Sequence, residues 1–496
     1  MDQNAKKMLI VGGGIAGLCT AVYAQKCGYQ AEVMEMHDMA GGLAMSWRRG
    51  AYTFETCLHW LLGSSPESPM HGQWQEVCEF DKLTFVHFDE LVRLKTENGD
   101  TLSISTNPDR LEAELLKHAP QDAAEIRRFT SAIRRLSKLK MPDPAVGWAS
   151  NLATMICDLP YLPLMRKLLN ISCVEYGKRF QDPLLKSYFG DGIMGQLSAV
   201  ALIFSLAWMG SGQADYPVGG SQALIRLIEE KLLSLGGRIR FKARVERVLV
   251  ENDVAVGVQL AGGEIVRADW VISAADGHAT IYDFLGGKYK DSATDKLYDD
   301  SEIFPSYLQV SLGVAQDLSA QPPMLTRLLD TPLQVDPGTE LHNASFRIFN
   351  FDPTFAPVGK TAVICFLPTN NHEYWLNLRE HNPEGYRAEK HRIAEAVIGI
   401  LERNVPDLRR TIEVTDVSTP ATVIRYTGNW KGSMEGWLLK PGARMRPYPN
   451  TLPGLRQFLM VGQWVSPGGG LPSGLMTGRA AIQAVCKQDL VPFTPR

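Results

Sequence analysis

The strongest constraint on this chain lies in residues 8–36, MLIVGGGIAGLCTAVYAQKCGYQAEVMEM. Met8 to Val11 are four consecutive apolar residues and read as a buried strand. Ile15 to Cys27 read as a helix rich in Ala, Leu and Tyr. Gly12, Gly14 and Gly17 stand between them in G-x-G-x-x-G spacing. The first glycine permits a tight strand-to-helix turn. The second lets main chain approach a pyrophosphate, and the third lets the helix pack closely on the strand. The helix start at Ile15 and Ala16 then offers free N–H groups and a positive dipole end to phosphate. A second strand, Ala31 to Met36, ends on Glu35, 18 residues beyond Gly17, where a carboxylate can accept hydrogen bonds from a ribose. No arginine immediately follows Glu35, which argues against a 2′-phosphate. A purely structural βαβ turn explains some of these parts. The whole set points to dinucleotide binding.

A chain of 496 residues exceeds one ordinary hydrophobic core, so two domains are expected, and they can be interleaved. With 45% hydrophobic and 21% charged residues it reads as a soluble globular protein. A net charge of −3 gives no reason to expect nucleic acid as partner. No secretory signal precedes the first strand, and the eight cysteines form no Cys-x-x-Cys, which fits a reducing cytoplasm. Two apolar stretches, Leu197 to Met209 and Asn151 to Cys173, are read as buried helices or tunnel walls. The first falls short of the roughly 20 residues that span a bilayer. The second is interrupted by Pro160, Pro163, Asp158, Arg166 and Lys167. The alternative is a surface helix that dips into lipid, making the protein cytoplasmic but peripheral to a membrane.

Gly41-Gly42 follows Glu35 by only six residues, where a nicotinamide dehydrogenase would usually enter another helix. A glycine pair lets backbone lie against a flat or phosphorylated ligand. The C-terminal run RQFLMVGQWVSPGGGLPSGLMTGRAAIQAVCKQ reads as a strand from Phe458 to Val461, then Gly462-Gln463, a glycine-rich loop, and a helix from about Gly474. Between the ends, Tyr216 to Ser273 reads as turn, helix, strand, β-meander and a last apolar strand from Trp270 to Ser273.

The stretch Asp38 to Leu43 resembles the flavoprotein motif D-x-x-x-x-G-G-[RKL], one residue shorter. With the two chain ends and the 216–273 block, the sequence resembles the phytoene desaturase, carotenoid isomerase and retinol saturase family of FAD-dependent oxidoreductases along its whole length. YTFETCLHWLLG is most similar to the retinol saturase branch, with Glu55 in place of the usual Asp and Cys57 in place of the usual Gly. The resemblance implies an α/β fold: a Rossmann-type FAD/NAD(P)-binding domain with an interleaved α+β substrate domain, amine-oxidase/phytoene-desaturase-like. It divides the chain into an FAD domain of residues 1–106, 215–286 and 421–496 and a substrate domain of residues 107–214 and 287–420. It implies adenine contact by the backbone of Val245, ribityl-phosphate contact by Gly462 and Gln463, and flavin-ring contact by Gly470, Leu471 and Pro472. Gly12, Gly14, Ile15, Ala16, Gly17, Glu35, Gly41, Gly42 and Leu43 complete the expected FAD site.

The activity so implied is desaturation, saturation or cis-trans isomerisation of a C=C bond in a small lipophilic isoprenoid or polyene, such as a carotenoid. A flavin asks the protein for orientation, a dry cavity and a way to move protons. His59, on the segment after Gly41-Gly42, is the candidate for proton handling, against the alternative of a structural histidine. Trp60, Trp430 and Trp464 could line an apolar slot, although large aromatics commonly serve as core. Arg48 and Arg49 suit either phosphate or solvent. Glu229-Glu230 and Asp299-Asp300 read as solvated surface, and His71, His87 and His118 lack a spacing that favours a metal. The competing readings are a flavin amine oxidase sharing the framework, a nicotinamide dehydrogenase, which leaves Gly41-Gly42 unexplained, and a lipid-binding flavoprotein without turnover.

Overall fold

A computed structural model describes residues 5–56, 58–140, 148–190, 192–442 and 448–495; Cys57 lies outside them. The apolar run Lys7–Val11 is the central strand of a five-stranded parallel sheet. Its order is 238–240, 30–34, 7–11, 270–273, 458–460, so three distant stretches of chain supply neighbouring strands. Side chains alternate across it. Met8 and Ile10 enter one core, while Leu9 and Val11 enter another. Because both faces are covered, the strands read as continuous apolar runs. Helices Ile15–Lys26, Gly220–Ser234 and Gly470–Asp489 cover the first face. A three-stranded antiparallel meander (Val245–Glu251, Val254–Leu260, Ile265–Arg267) packs on the second.

Two element ends differ from the sequence reading. The second strand stops at Met34, leaving Glu35 in the turn beyond it. The last helix begins at Gly470, not near Gly474. Gly470, Leu471 and Pro472 are thus its first turn, where proline is tolerated because that N–H has no intrahelical acceptor.

A seven-stranded sheet runs in the order 412–418, 306–314, 361–369, 339–348, 324–336, 90–95, 101–105. It is antiparallel except where Glu90–Lys95 pairs parallel to Met324–Asp336. Helix Pro383–Glu402 packs on it through Ile393, Val397 and Leu401. The hairpin 90–105 also contributes Val92, Leu94, Leu102 and Ile104 to a helical lobe. That lobe includes Pro108–His118, Ala123–Leu136 and Ala199–Gly210.

Of the two long apolar stretches, Ala199–Gly210 is buried as expected, with Leu202, Ile203 and Leu206 inside the lobe. Asn151 to Cys173 is a correction. The prolines cut it into Trp148–Asp158, a 3₁₀ turn at Leu159–Tyr161 and Leu162–Leu169. Elements this short bury one stripe. Leu164, Met165 and Leu168 take that place, and much of the remaining apolar surface faces outward. Among the described residues no helix is long and apolar enough to cross a membrane.

Candidate functional site

The two glycine clusters of the N-terminal region meet in space. Gly41 N donates to the Gly13 carbonyl at 2.9 Å, and Gly14 and Gly41 form an isolated parallel bridge. Gly41 and Gly42 hold φ of +136° and +61°, a region L side chains resist, and a methyl on Gly42 would lie 3.2 Å from Gly14 Cα. A methyl on Gly17 would collide with the Gly12 carbonyl oxygen. A methyl on Gly14 meets nothing closer than the Gly41 carbonyl at 3.8 Å, so main chain alone walls the gap above it. Leu43 continues this wall, its carbonyl accepting from Thr56 Oγ1 at 2.8 Å.

Glu35 is buried beside the gap. Its carboxylate accepts from Gly13 N at 2.7 Å and from His37 N at 2.8 Å. A carboxylate offers about four lone-pair positions, so two remain for a diol. Gly13, an unassigned position of the spacing pattern, is constrained as well: a methyl there would lie 2.9 Å from Glu35 Oε2. Lys242 N donates to the His37 carbonyl and Ala243 N to the Glu35 carbonyl, each at 2.8 Å. These bonds bring the approach to Val245 alongside Glu35, and Val245 itself is buried opposite Leu260.

The C-terminal segment closes on the same gap. Gly462 N donates to Thr477 Oγ1 at 2.9 Å, and a methyl on Gly462 would lie 3.3 Å from Ala16 Cβ. Gly474 and Gly478 let the last helix press against Ile15 and Thr20 of the first, since methyls there would approach those side chains to 2.7 Å. Both helices start from a glycine, Gly14 and Gly469, and neither receives a side-chain cap. Their first-turn N–H groups, from Ile15 and Ala16 and from Leu471, are therefore left for a ligand. Gln463 Nε2 donates to Asn429 Oδ1 at 3.3 Å. Two converging uncapped helix starts, main chain in close approach and a carboxylate with spare acceptor positions fit a dinucleotide such as FAD.

His59 stands elsewhere, at a small cavity of about 20 Å³ that it lines with Phe88, Leu91, Met209, Pro323, Met324 and Arg347. Its side chain is exposed, and its carbonyl accepts from Arg347 Nη2 at 3.0 Å. Arg347 is buried, and its guanidinium lies 4.9 Å from the Tyr216 ring centre. Glu55 is the buried anion of this region, accepting from Tyr216 Oη at 3.2 Å and Ser221 N at 3.0 Å. Burial lifts its carboxyl to about 7, against the opposing pull of Arg347 and those hydrogen bonds. The substitution of Glu for Asp noted in the sequence therefore places a longer carboxylate in a spot lined by Ser221 and Tyr216.

Two further carboxylates escaped sequence reasoning. Asp276 is buried and accepts from Ala279 N and Trp430 N, both at 2.8 Å; loss of water raises its carboxyl to about 7. Glu435 packs against the turn that opens the last helix, since a methyl on Gly469 would lie 2.9 Å from Glu435 Cβ. Removal from water raises its carboxyl to about 7 as well. Nothing local marks either residue: each is a lone acid in a loop, and only its distant neighbours make it unusual.

The remaining candidates are structural. Trp430 and Trp464 join Tyr298 and Trp437 in an aromatic cluster, with Trp437 and Trp464 ring centres 5.2 Å apart. Trp60 packs on Trp208. Arg49 pairs with Asp416 at 3.1 Å, and Arg48 is exposed. His71, His87 and His118 face Asp81, Asp215 and Asp182. Among the described residues no His/Cys/Asp/Glu group could hold a metal.

Comparison with known proteins adds four findings. Residues 15–486 match the family described as flavin containing amine oxidoreductase. A 4,4′-diapophytoene desaturase (4,4′-diapolycopene-forming) of a Methylomonas species is 23% identical, with 99% of this chain and 97% of that protein covered. A chloroplastic prolycopene isomerase of Daucus carota is 24% identical over 86% of this chain and 71% of its own. Among solved structures, an oxidoreductase from Methanosarcina mazei shares the fold with a TM-score of 0.60 at 17% identity, covering 96% of this chain and 100% of its own.

Proposed function

The chain belongs to the flavin containing amine oxidoreductase family and is an FAD-dependent oxidoreductase, and from that premise we propose that it desaturates, saturates or isomerises C=C bonds of a lipophilic isoprenoid or polyene. The observation that carries this is the match to a 4,4′-diapophytoene desaturase over 99% of this chain and to a prolycopene isomerase over 86% of it.

Bound FAD supplies two-electron chemistry at carbon. In this reading the protein's residues divide as follows. Gly12, Gly14, Ile15, Ala16, Gly17, Gly41, Gly42 and Leu43 bind the pyrophosphate region, Glu35 the ribose hydroxyls and Val245 the adenine. Gly462 and Gln463 hold the ribityl end, and Gly470, Leu471 and Pro472 orient the ring. His59 moves a proton at the substrate. Residues 1–106, 215–286 and 421–496 act as the FAD domain, and 107–214 with 287–420 as the substrate domain.

The test is incubation of the purified yellow protein with phytoene, its desaturated products and a poly-cis carotene, in air and separately without oxygen but with an added quinone or with dithionite, followed by chromatography. A shift in double-bond number or geometry is expected. Turnover of diamines with peroxide release, and no change in any polyene, would replace this reading with an amine oxidase.

A further inference from the structure

We propose that Glu435 is a catalytic residue at the ring end of the cofactor, exchanging one proton with the bound ring as that ring is reduced and reoxidised. The residue stands where three parts of the molecule converge. A methyl on Gly469 would lie 2.9 Å from Glu435 Cβ, directly before the uncapped helix start at Gly470. A methyl on the neighbouring Gly436 would lie 3.2 Å from the carbonyl oxygen of Gln463. On the other side, Met434 and Leu439 pack on Leu197 and Phe304, beside Ala201 of helix Ala199–Gly210. Hydrogen bonds pin the segment in this place. Phe304 N donates to the Gly436 carbonyl at 2.7 Å, Gly468 N to the Trp437 carbonyl at 3.2 Å and Trp437 Nε1 to the Trp464 carbonyl at 2.9 Å. Within residues 433–439 and 462–472, Glu435 is the only ionisable side chain.

The carboxyl is free for such work. Among the described residues it has neither a hydrogen-bond nor an ion-pair partner, whereas main-chain N–H groups hold Glu55 and Asp276. Charged side chains on the flanking segments are engaged elsewhere: Lys440 pairs with Glu302, and Lys431 lies 4.3 Å from the Trp430 ring centre. Helix Ala199–Gly210 carries no charge. The side chain is half-buried, yet loss of water alone raises its carboxyl to about 7, so its open edge faces a recess and not bulk solvent. An acid that titrates near neutrality gives and regains a proton with similar ease. Removing two hydrogens from a C–C bond sends a hydride to the ring and a proton to a base, the part given above to His59. The hydride leaves the ring one charge more negative. The Glu435 O–H bond then breaks, its proton passing to the ring and its electron pair staying on the carboxylate. When a quinone or oxygen withdraws a hydride equivalent, the carboxylate recovers its proton and the acceptor draws its own from water. The ring's place at Gly470 and the source of the hydride rest on the proposed function.

The experiment reduces the full-length FAD-loaded protein without oxygen or polyene, using xanthine and xanthine oxidase with reference dyes, at pH values on both sides of 7. The slope of the midpoint potential against pH counts the protons taken up with two electrons. In wild type it should steepen as the pH rises through about 7, the mark of a group that ionises in the oxidised protein and regains its proton on reduction. A proton lost only from the reduced ring flattens the slope instead, so the direction of the break identifies its source. Glu435→Gln should abolish the steepening, and Glu435→Asp should restore one. Circular dichroism and bound-flavin absorbance establish that both variants are folded and loaded. No steepening in wild type, or the same steepening in Glu435→Gln, would overturn the proposal. A second arm adds phytoene, where Glu435→Gln should lower kcat about 100-fold or more and leave KM unchanged. Equal kcat in the two proteins would also overturn it. A wild type that keeps the break yet changes no polyene refutes only the proposed function.

Discussion

The glycine cradle and the chamber at His59 are built in opposite ways. The cradle is main chain drawn mostly from neighbouring sequence: Gly13 and Glu35 bond across 22 positions. The chamber is side chains drawn from everywhere: Arg347 reaches the His59 carbonyl across 288. A ligand gripped by amides demands glycine wherever chain approaches chain, and glycine in a fixed spacing survives as a written pattern. A chamber shaped by side chains tolerates many sequences, provided charge and volume balance, and leaves no comparable pattern.

The largest effect should come from breaking the cradle itself. Gly17→Val drives a branched side chain into the Gly12 carbonyl, where even a methyl has no room. The cost should exceed about 3 kcal/mol, as for severe overpacking or backbone displacement. The expected result is protein recovered in low yield and without yellow colour, read by the flavin-to-protein absorbance ratio. Normal flavin content in this variant would mean the first helix is free to shift, and the contrast between rigid cradle and adaptable chamber would fail.

Arg347→Met attacks the chamber. It leaves Glu55 buried without its cation, a loss of about 3–5 kcal/mol when the anion cannot escape. Here it can. A carboxyl whose folded pKa is raised to about 7 is neutral below that value, so the variant should lose more stability at pH 8 than at pH 6. Thermal melts at the two pH values give the answer, and adding Glu55→Gln should remove most of the pH difference. A pH-independent loss would assign Arg347 to packing on Tyr216 instead of to charge.

How much was legible follows the same division. Strand and helix at residues 7–26 and the strand 270–273 were readable because periodicity and glycine spacing are local, whereas the meeting of both chain ends was implied only by the family resemblance. Glu35 was located by spacing alone, although the strand ends one residue before it. The last helix was read four residues short, because Gly470-Leu471-Pro472 has loop composition and only the uncapped first turn makes it helical. The stretch 151–173 was read as buried, because hydropathy counts apolar residues and is blind to which stripe finds a partner. His59 was chosen from its place in the chain, while its actual surroundings, Met209, Met324 and Arg347, come from three other regions.

A smaller effect sharpens the cradle's account. Glu35→Ala removes the acceptor of two main-chain N–H groups and the proposed ribose contact. Charged hydrogen bonds of this kind contribute about 1.5–3 kcal/mol each, so flavin affinity should fall about 10- to 100-fold. Fluorescence titration of the apoprotein with FAD measures it, and Glu35→Asp should restore part of the loss. Unchanged affinity would mean that the carboxylate serves the turn alone.

The smallest predicted effect concerns the turn that opens the last helix of the cradle. Glu435 leans on Gly469 at the start of the last helix, with its carboxyl raised from 4.5 to about 7 by removal from water. The folded state therefore favours the protonated form. Its contribution to stability is complete below the unfolded value near 4.5 and is lost as the pH rises through about 7. Glu435→Gln keeps the shape and discards the titration. Wild type should lose about 1 kcal/mol of stability between pH 5.5 and pH 8 that the variant retains, a difference of a few degrees at most in Tm. If the proposed ring position at Gly470 is right, the visible spectrum of the bound cofactor should also shift with an apparent pKa near 7 in wild type and not in Glu435→Gln. A spectrum insensitive to pH in both proteins, with the stability difference intact, would keep Glu435 as a buried acid but remove it from the flavin's neighbourhood.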